Sequence, residues 1–196
     1  MATYDPRTTA LVLIDLQKGI VGMDLAPRSG EDVVKTAREL AALFRESDAP
    51  VVLVHVDWAK DGGDRPSQEV DQPMPPHETL PPDWSQFVDG LCDEEDLVVL
   101  KHHWGAFTGT DLDLRLRRRG IRTIVLGGIA TNFGVESTAR SGWELGYDIV
   151  IVEDACASSD TELHRMAIEK ILPRISHVVS AETIELTSKT QVQRLV

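Results

Sequence analysis

Sulfur and positive charge are both scarce in this chain. Its two cysteines, Cys92 and Cys156, stand far apart, and neither belongs to a CxxC pair or a Cys/His cluster, so no structural zinc site is indicated. Lys and Arg number 20 against 32 Asp and Glu, a formal charge of −12. An acidic surface repels nucleic acid and anionic membranes, so neither is expected as a partner. No apolar run approaches the roughly 20 residues of a membrane span. The opening Met-Ala-Thr-Tyr-Asp lacks the basic and apolar regions of an export signal, and the expected setting is reducing and cytoplasmic. There is no internal repeat and no low-complexity tract.

What remains is a chain of 196 residues, 42% apolar, which is expected to form one domain over 1–196. Five short runs are rich in Val, Ile and Leu: Ala10–Ile14, Val51–Val56, Leu97–Leu100, Ile124–Leu126 and Ile149–Val152. A weaker one, Ile175–Val179, is a candidate sixth. They do not alternate with polar residues, which predicts strands buried on both faces of a parallel sheet. The segments between them carry helical spacing. Asp32–Ser47 places Val33, Ala37, Leu40, Ala41 and Phe44 on one face. Asp111–Arg119 and Val135–Leu145 are each followed by a glycine suited to a helix end, Gly120 and Gly146. Thr161–Leu172 is opened by Ser159-x-x-Glu162, a capping-box pattern, and closed by Pro173. This alternation predicts a three-layer α/β/α domain. One stretch breaks it: residues 58–84 hold six of the ten prolines, including Pro75, between Trp58 and Trp84. It is expected to be a lid, a binding loop or a subunit contact.

In open parallel sheets, ligands bind beyond the carboxyl ends of the strands. There the sequence places Asp15, Asp57, Lys101, Glu153 and Asp154, and the turn Gly127-Gly128-Ile129-Ala130-Thr131-Asn132-Phe133-Gly134. Amide groups of a turn that opens a helix lack internal partners and can hold a developing oxyanion. Asp15 beside Lys101 can shuttle a proton.

Three segments together resemble the isochorismatase-like, or cysteine hydrolase, superfamily. They are Ala10-Leu11-Val12-Leu13-Ile14-Asp15-Leu16-Gln17, Lys101-His102-His103-Trp104-Gly105-Ala106-Phe107, and Gly128 through Ala139. The resemblance implies a Rossmann-like, mainly parallel sheet of five or six strands in the order 3-2-1-4-5-6. It implies Asp15 as acid/base, Lys101 as its partner, and the amides of Ala130 and Gly134 as an oxyanion hole. It also implies a cis peptide at Ile129–Ala130 and a homodimer or larger homo-oligomer. The superfamily's amidohydrolases use an Asp–Lys–Cys triad; its isochorismatases hydrolyse a vinyl ether without the cysteine. Here Gly134 occupies the nucleophile's position, as in an uncharacterised bacterial branch, and a glycine cannot form a thioester. The metal-binding Asp-x-His of nicotinamidases reads Asp57-Trp58-Ala59, so no metal and no cofactor are expected. His102, His103 and Trp104 replace the aromatic–basic–aromatic run of true isochorismatases, so isochorismate is not the favoured substrate.

The reading is a hydrolase of a small planar or carboxylated metabolite. The alternatives are a vinyl-ether hydrolase and an inactive ligand-binding relative. Candidates for substrate contact are Gln17, Trp58, His103, Trp104, Phe107 and Thr131. Each has a plainer alternative. Gln17 can instead satisfy backbone groups, and Trp104 and Phe107 can be core or interface packing. Cys156 reads as a small buried hydrophobe.

Overall fold

A computed structural model describes residues 2–187 apart from 75, 77 and 78; Pro75 of the long loop and the ends of the expected 1–196 domain thus lie outside the described residues. The strands are β1 (Ala2–Tyr4), β2 (Thr9–Ile14), β3 (Val51–Val56), β4 (Leu97–Lys101), β5 (Thr123–Ile129), β6 (Asp148–Ala157), β7 (His177–Val179) and β8 (Ile184–Leu186). The helices are α1 (Lys18–Val21), α2 (Gly30–Glu46), α3 (Leu112–Arg118), α4 (Glu136–Glu144) and α5 (Thr161–Met166). Six strands form one parallel sheet in the order β4-β3-β2-β5-β6-β7, and β1 pairs with β8 apart from it. With the short β1 set aside, this is the expected order 3-2-1-4-5-6.

Helices cover both faces. Val33, Leu40 and Phe44 of α2 pack on Leu11, Leu13 and Leu53. On the other face Leu112 and Leu116 of α3 and Ala139 of α4 pack on Val12, Ile124 and Leu126. Each fully buried Leu or Phe contributes roughly 1.5–3 kcal/mol, so these two layers supply the main driving force. Strand order reverses between β2 and β5, and the crevice of such a sheet opens beyond the carboxyl ends of those two strands. Ile14 lies opposite Gly128 in the register. Asp15 and the Gly-rich turn are therefore delivered to one place by topology alone.

Gly128 is what allows β5 to run so close to β2. Its φ is +128°, and a Cβ there would sit 2.1 Å from the Ile14 carbonyl oxygen. Only glycine meets both demands.

Several expectations need correction. Helix α2 starts at Gly30, because Ser29 and Asp32 form a reciprocal capping box. The box expected at Ser159 does not form; Asp160 caps α5, accepting from the amides of Glu162 and Leu163 at 2.6 and 3.1 Å. The α-helix there ends at Met166. A wider π-type turn, Ala167–Ile171, follows, and then a 3-10 turn, Leu172–Arg174, around Pro173. Strand β4 is an edge strand, so Val98 and Leu100 are exposed rather than buried on both sides. Glu153 and Asp154 do not lie beyond the carboxyl end of the fifth strand of the sheet. They lie within β6, which bulges so that Ile151 pairs with Leu126 but Cys156 with Gly128.

These contacts separate two glycines that look alike in sequence. Gly120 also has positive φ (+70°), but nothing lies within 4 Å of its missing Cβ. Gly120→Ala is expected to cost about 1 kcal/mol. Gly128→Ala is expected to cost on the order of 4 kcal/mol or to prevent folding. Urea unfolding of the two variants checks this, and equal costs would contradict the close β2–β5 approach.

Candidate active site

Asp15 directly follows β2 in a left-handed conformation, φ +55°, which Asp tolerates better than most residues. Its amide donates to the Val54 carbonyl of β3 at 2.8 Å, which fixes the turn. The side chain is buried against Lys101, the last residue of β4; Nζ donates to Oδ2 at 2.7 Å. The same ammonium donates to the carbonyls of His103 and Trp104 at 3.1 and 3.0 Å. All three of its protons are thus engaged. Asp15 Oδ1, also buried, has no hydrogen-bond partner among the described residues. Burial pushes the Asp15 carboxyl up to about 6, against the opposing pull of Lys101.

The Gly-rich turn continues β5 through a cis peptide at Ile129–Ala130 into a π-type turn, Thr131–Val135, and then α4. Gly134 abuts the acid. A Cβ built on it would lie 3.3 Å from Asp15 Oδ2 and 2.8 Å from Ile14 Cγ2. Thr138, in the first turn of α4, joins the parts. Its hydroxyl donates to the Gly134 carbonyl at 2.6 Å and accepts from the Ala106 amide at 3.0 Å.

A cleft of about 1020 Å³ opens over this centre, and Asp15, Lys101, Ala130 and Gly134 all line it. The wall opposite is the proline-rich loop, contributing Trp58, Arg65, Val70, Met74 and Trp84 among others. That loop is pinned at its base. Trp58 stacks on Trp84 with ring centroids 5.7 Å apart, and its indole N–H donates to the His102 carbonyl at 3.1 Å. His102 Nδ1 in turn meets the Asp57 carbonyl at 2.7 Å.

Of the six candidates for substrate contact, the structure brings Trp58, His103 and Trp104 to the cleft. It sends the other three elsewhere. Gln17 is fully buried and braces the scaffold. Its Oε1 accepts from the Val56 amide, and its Nε2 donates to the carbonyls of Val56 and Trp84. Phe107 stacks on Tyr147 and packs into the core beneath α4. Thr131 is fully buried, and its hydroxyl faces His164 Nδ1 at 2.8 Å. In each case the partner is remote in sequence, so no local signal separates core from cleft. Phe133 went unnoticed in the sequence; it lines the cleft and packs on Trp104 with centroids 4.7 Å apart. Cys156 is fully buried and its thiol is pushed up to about 12 by desolvation, so it is a poor nucleophile. Asp57 Oδ1 accepts from the Trp58 amide. Among the described residues no three His, Cys, Asp or Glu side chains converge as a metal site requires. No helix among them is long and apolar enough to cross a membrane.

Comparisons with known proteins place the fold. Residues 9–183 match the isochorismatase domain model. The chain is 50% identical over 185 residues to the isochorismatase family protein YecD of Escherichia coli O157:H7, covering 94% of this chain and 98% of that one. It is 32% identical over 191 residues to the ureidoacrylate amidohydrolase RutB of Methylobacterium radiotolerans, covering 85% and 74%. Among solved structures, an isochorismatase family protein from Burkholderia thailandensis superposes with a TM-score of 0.89 at 48% identity, covering 93% of this chain and 95% of that one. The chain belongs to the isochorismatase family of hydrolases.

Proposed function

We propose that this hydrolase cleaves a small planar or carboxylated metabolite by direct attack of water, with Asp15 as the acid/base and no covalent intermediate. The observation that carries the reading is the Asp15 carboxylate. Oδ2 is held by Lys101 and faces Gly134, which offers no nucleophile, while Oδ1 has no hydrogen-bond partner among the described residues. Asp15 would take a proton from water as that water attacks the carbonyl carbon, and would return it to the leaving nitrogen or oxygen as the C–N or C–O bond breaks. Lys101 holds the carboxylate in place and favours its ionised form against the cost of burial. The amides of Ala130 and Gly134 would receive the developing oxyanion, an interaction of a kind that contributes about 3–4 kcal/mol to a transition state. Trp58, Trp104 and Phe133 line the cleft and give a flat substrate aromatic surface to pack on. No metal and no cofactor enter this proposal.

The vinyl-ether reading has one observation in its favour. A carboxyl raised to about 6 keeps a protonated fraction near neutrality and can donate a proton. The two readings differ in the sign of their pH dependence. A base must be ionised, so hydrolysis by water rises through about pH 6 to a plateau. An acid must be protonated, so vinyl-ether cleavage falls above about pH 6. Screening small amides, enol ethers and carboxylate esters supplies the reaction to follow. Asp15→Asn is expected to lower kcat about 10²–10⁴-fold while the protein stays folded. Lys101→Met should lower it comparably and move the rising limb to higher pH, since the carboxylate loses its cation. Full turnover by Asp15→Asn would rule out the assignment, and no turnover of any panel compound by the wild-type protein would favour an inactive ligand-binding relative.

A homodimer or larger assembly is part of the same proposal. Met23, Val70, Met74, Trp104 and Phe133 are all exposed and all border the cleft, an unusual concentration of apolar surface for a lone chain. Light scattering at micromolar concentration should report at least twice the chain mass; a monomer would contradict this.

A further inference from the structure

The Thr131–Val135 turn is π-type, a short departure from regular α-helix that is frequent at functional sites. Main-chain bonds from the Phe133 and Val135 amides to the Ala130 carbonyl, at 3.1 and 3.2 Å, hold part of it, and side chains add further anchors. Side chains from three distant segments converge on it, none of them lining the cleft. Thr131 Oγ1 lies 2.8 Å from His164 Nδ1 on α5. His164 Nε2 lies 2.9 Å from Glu153 Oε1 on the β6 bulge. Arg28, just before α2, donates to that same Oε1 at 2.7 Å and to the carbonyls of Glu153 and Cys156 at 2.9 and 2.5 Å. Thr131 and His164 are buried, while the Glu153 and Arg28 side chains are partly exposed.

Donor and acceptor roles along this chain follow from its ends. Burial would raise the Glu153 carboxyl, but its hydrogen bonds to Arg28 and His164 outweigh that and hold it below the usual range. It is therefore ionised and can only accept. Burial lowers the His164 imidazole, with the pull of Glu153 opposing, and keeps the ring neutral near pH 7. Its single proton sits on Nε2, facing Glu153. Nδ1 then carries a lone pair, and the Thr131 hydroxyl must donate to it. Every group has a partner and every orientation is determined, which is the condition under which a buried polar network rigidifies its surroundings. A second link, between Ser158 Oγ and Asn132 Oδ1 at 2.5 Å, ties the next residue of the turn to the end of β6.

We propose that His164, held by Glu153 and Arg28, is a positioning residue: through the Thr131 hydroxyl it fixes the turn that aims the Gly134 amide into the cleft. This rests on the reading of the Ala130 and Gly134 amides as an oxyanion site. It adds that the site's geometry is set from outside the cleft, by residues that never touch substrate. Asp15 and Lys101 play no part in the relay, so the relay can fail while the acid/base pair stays intact.

Acetate, whose carboxylate oxygen can occupy an oxyanion position, provides a test that needs no substrate. In ¹H–¹⁵N spectra of the full chain, the Gly134 and Ala130 amides of the wild-type protein should shift on titration with acetate. Thr131→Val keeps the side-chain shape and removes the hydroxyl. It should weaken acetate binding about fivefold, the usual effect of one lost hydrogen bond. Thr131→Ser should restore binding to within twofold. Glu153→Gln, further out on the same chain, should weaken it by about twofold and supplies the reading if Thr131→Val does not fold. A merely structural role would lower the melting temperature of these variants and leave the acetate affinity of the folded protein unchanged, and that result overturns the relay. A wild-type Gly134 amide indifferent to acetate overturns both the relay and the oxyanion reading. A wild-type shift that the variants do not weaken overturns the relay alone.

Discussion

The ion pair between Asp15 and Lys101 constrains everything around it. Removing two charges from water costs several kcal/mol per ion, and their attraction offsets this only when the geometry is good and the remaining hydrogen-bonding groups are satisfied. The lysine meets that condition with three acceptors at 2.7, 3.1 and 3.0 Å. Two of them are carbonyls two and three residues further along, so the chain after β4 must fold back over its own lysine. That return path carries His103 and Trp104 to the rim of the cleft. It also leaves the Trp104 carbonyl 3.5 Å from where a Gly134 Cβ would stand. The aspartate is less well supplied, since one oxygen has no partner among the described residues. A buried carboxylate in that state sits high in its titration, which is the property an acid/base group working near neutral pH requires.

Around this pair the fold limits what position 134 can hold. The Ile14 methyl occupies the direction a side chain would take, and it belongs to a β-branched residue with little freedom to turn away. Thr138 grips the Gly134 carbonyl from below while holding the Ala106 amide, so the turn and the lysine segment shift together or not at all. The loop wall is braced in the same manner by Gln17, His102 and the Trp58–Trp84 stack. The result is a cleft whose floor and wall are both tied to the ends of β2, β3 and β4.

Much of this was legible in the sequence because it depends on short-range pattern. Strands buried on both faces announce themselves as unbroken Val, Ile and Leu runs: five expected runs fall within strands of the sheet, and of the weaker Ile175–Val179 only His177–Val179 is strand. The exposed residues of β4 escaped because edge position is a property of the whole sheet. The β6 bulge escaped for a related reason: it exists only as a mismatch of register with β5, and nothing in Asp148–Ala157 read alone marks where pairing breaks. At the site, Asp15, Lys101 and the Gly-rich turn were readable from motif and from their place at strand ends. Gln17, Phe107 and Thr131 were not. A buried glutamine bridging Val56 and Trp84 and a glutamine touching substrate have the same local sequence. The Arg28–Glu153–His164 chain was invisible for the same cause, since its members lie on three segments that meet only after folding.

The central claim is hydrolysis by a water molecule at Asp15 with no bond formed to the protein. Rapid-quench intact-mass spectrometry during turnover of an amide or ester substrate tests it most directly. The account predicts that the chain keeps its unmodified mass at every time point, and that in H₂¹⁸O the first turnover already places the label in the product. A transient mass increase equal to the acyl group, on Cys156 or any other side chain, would contradict it.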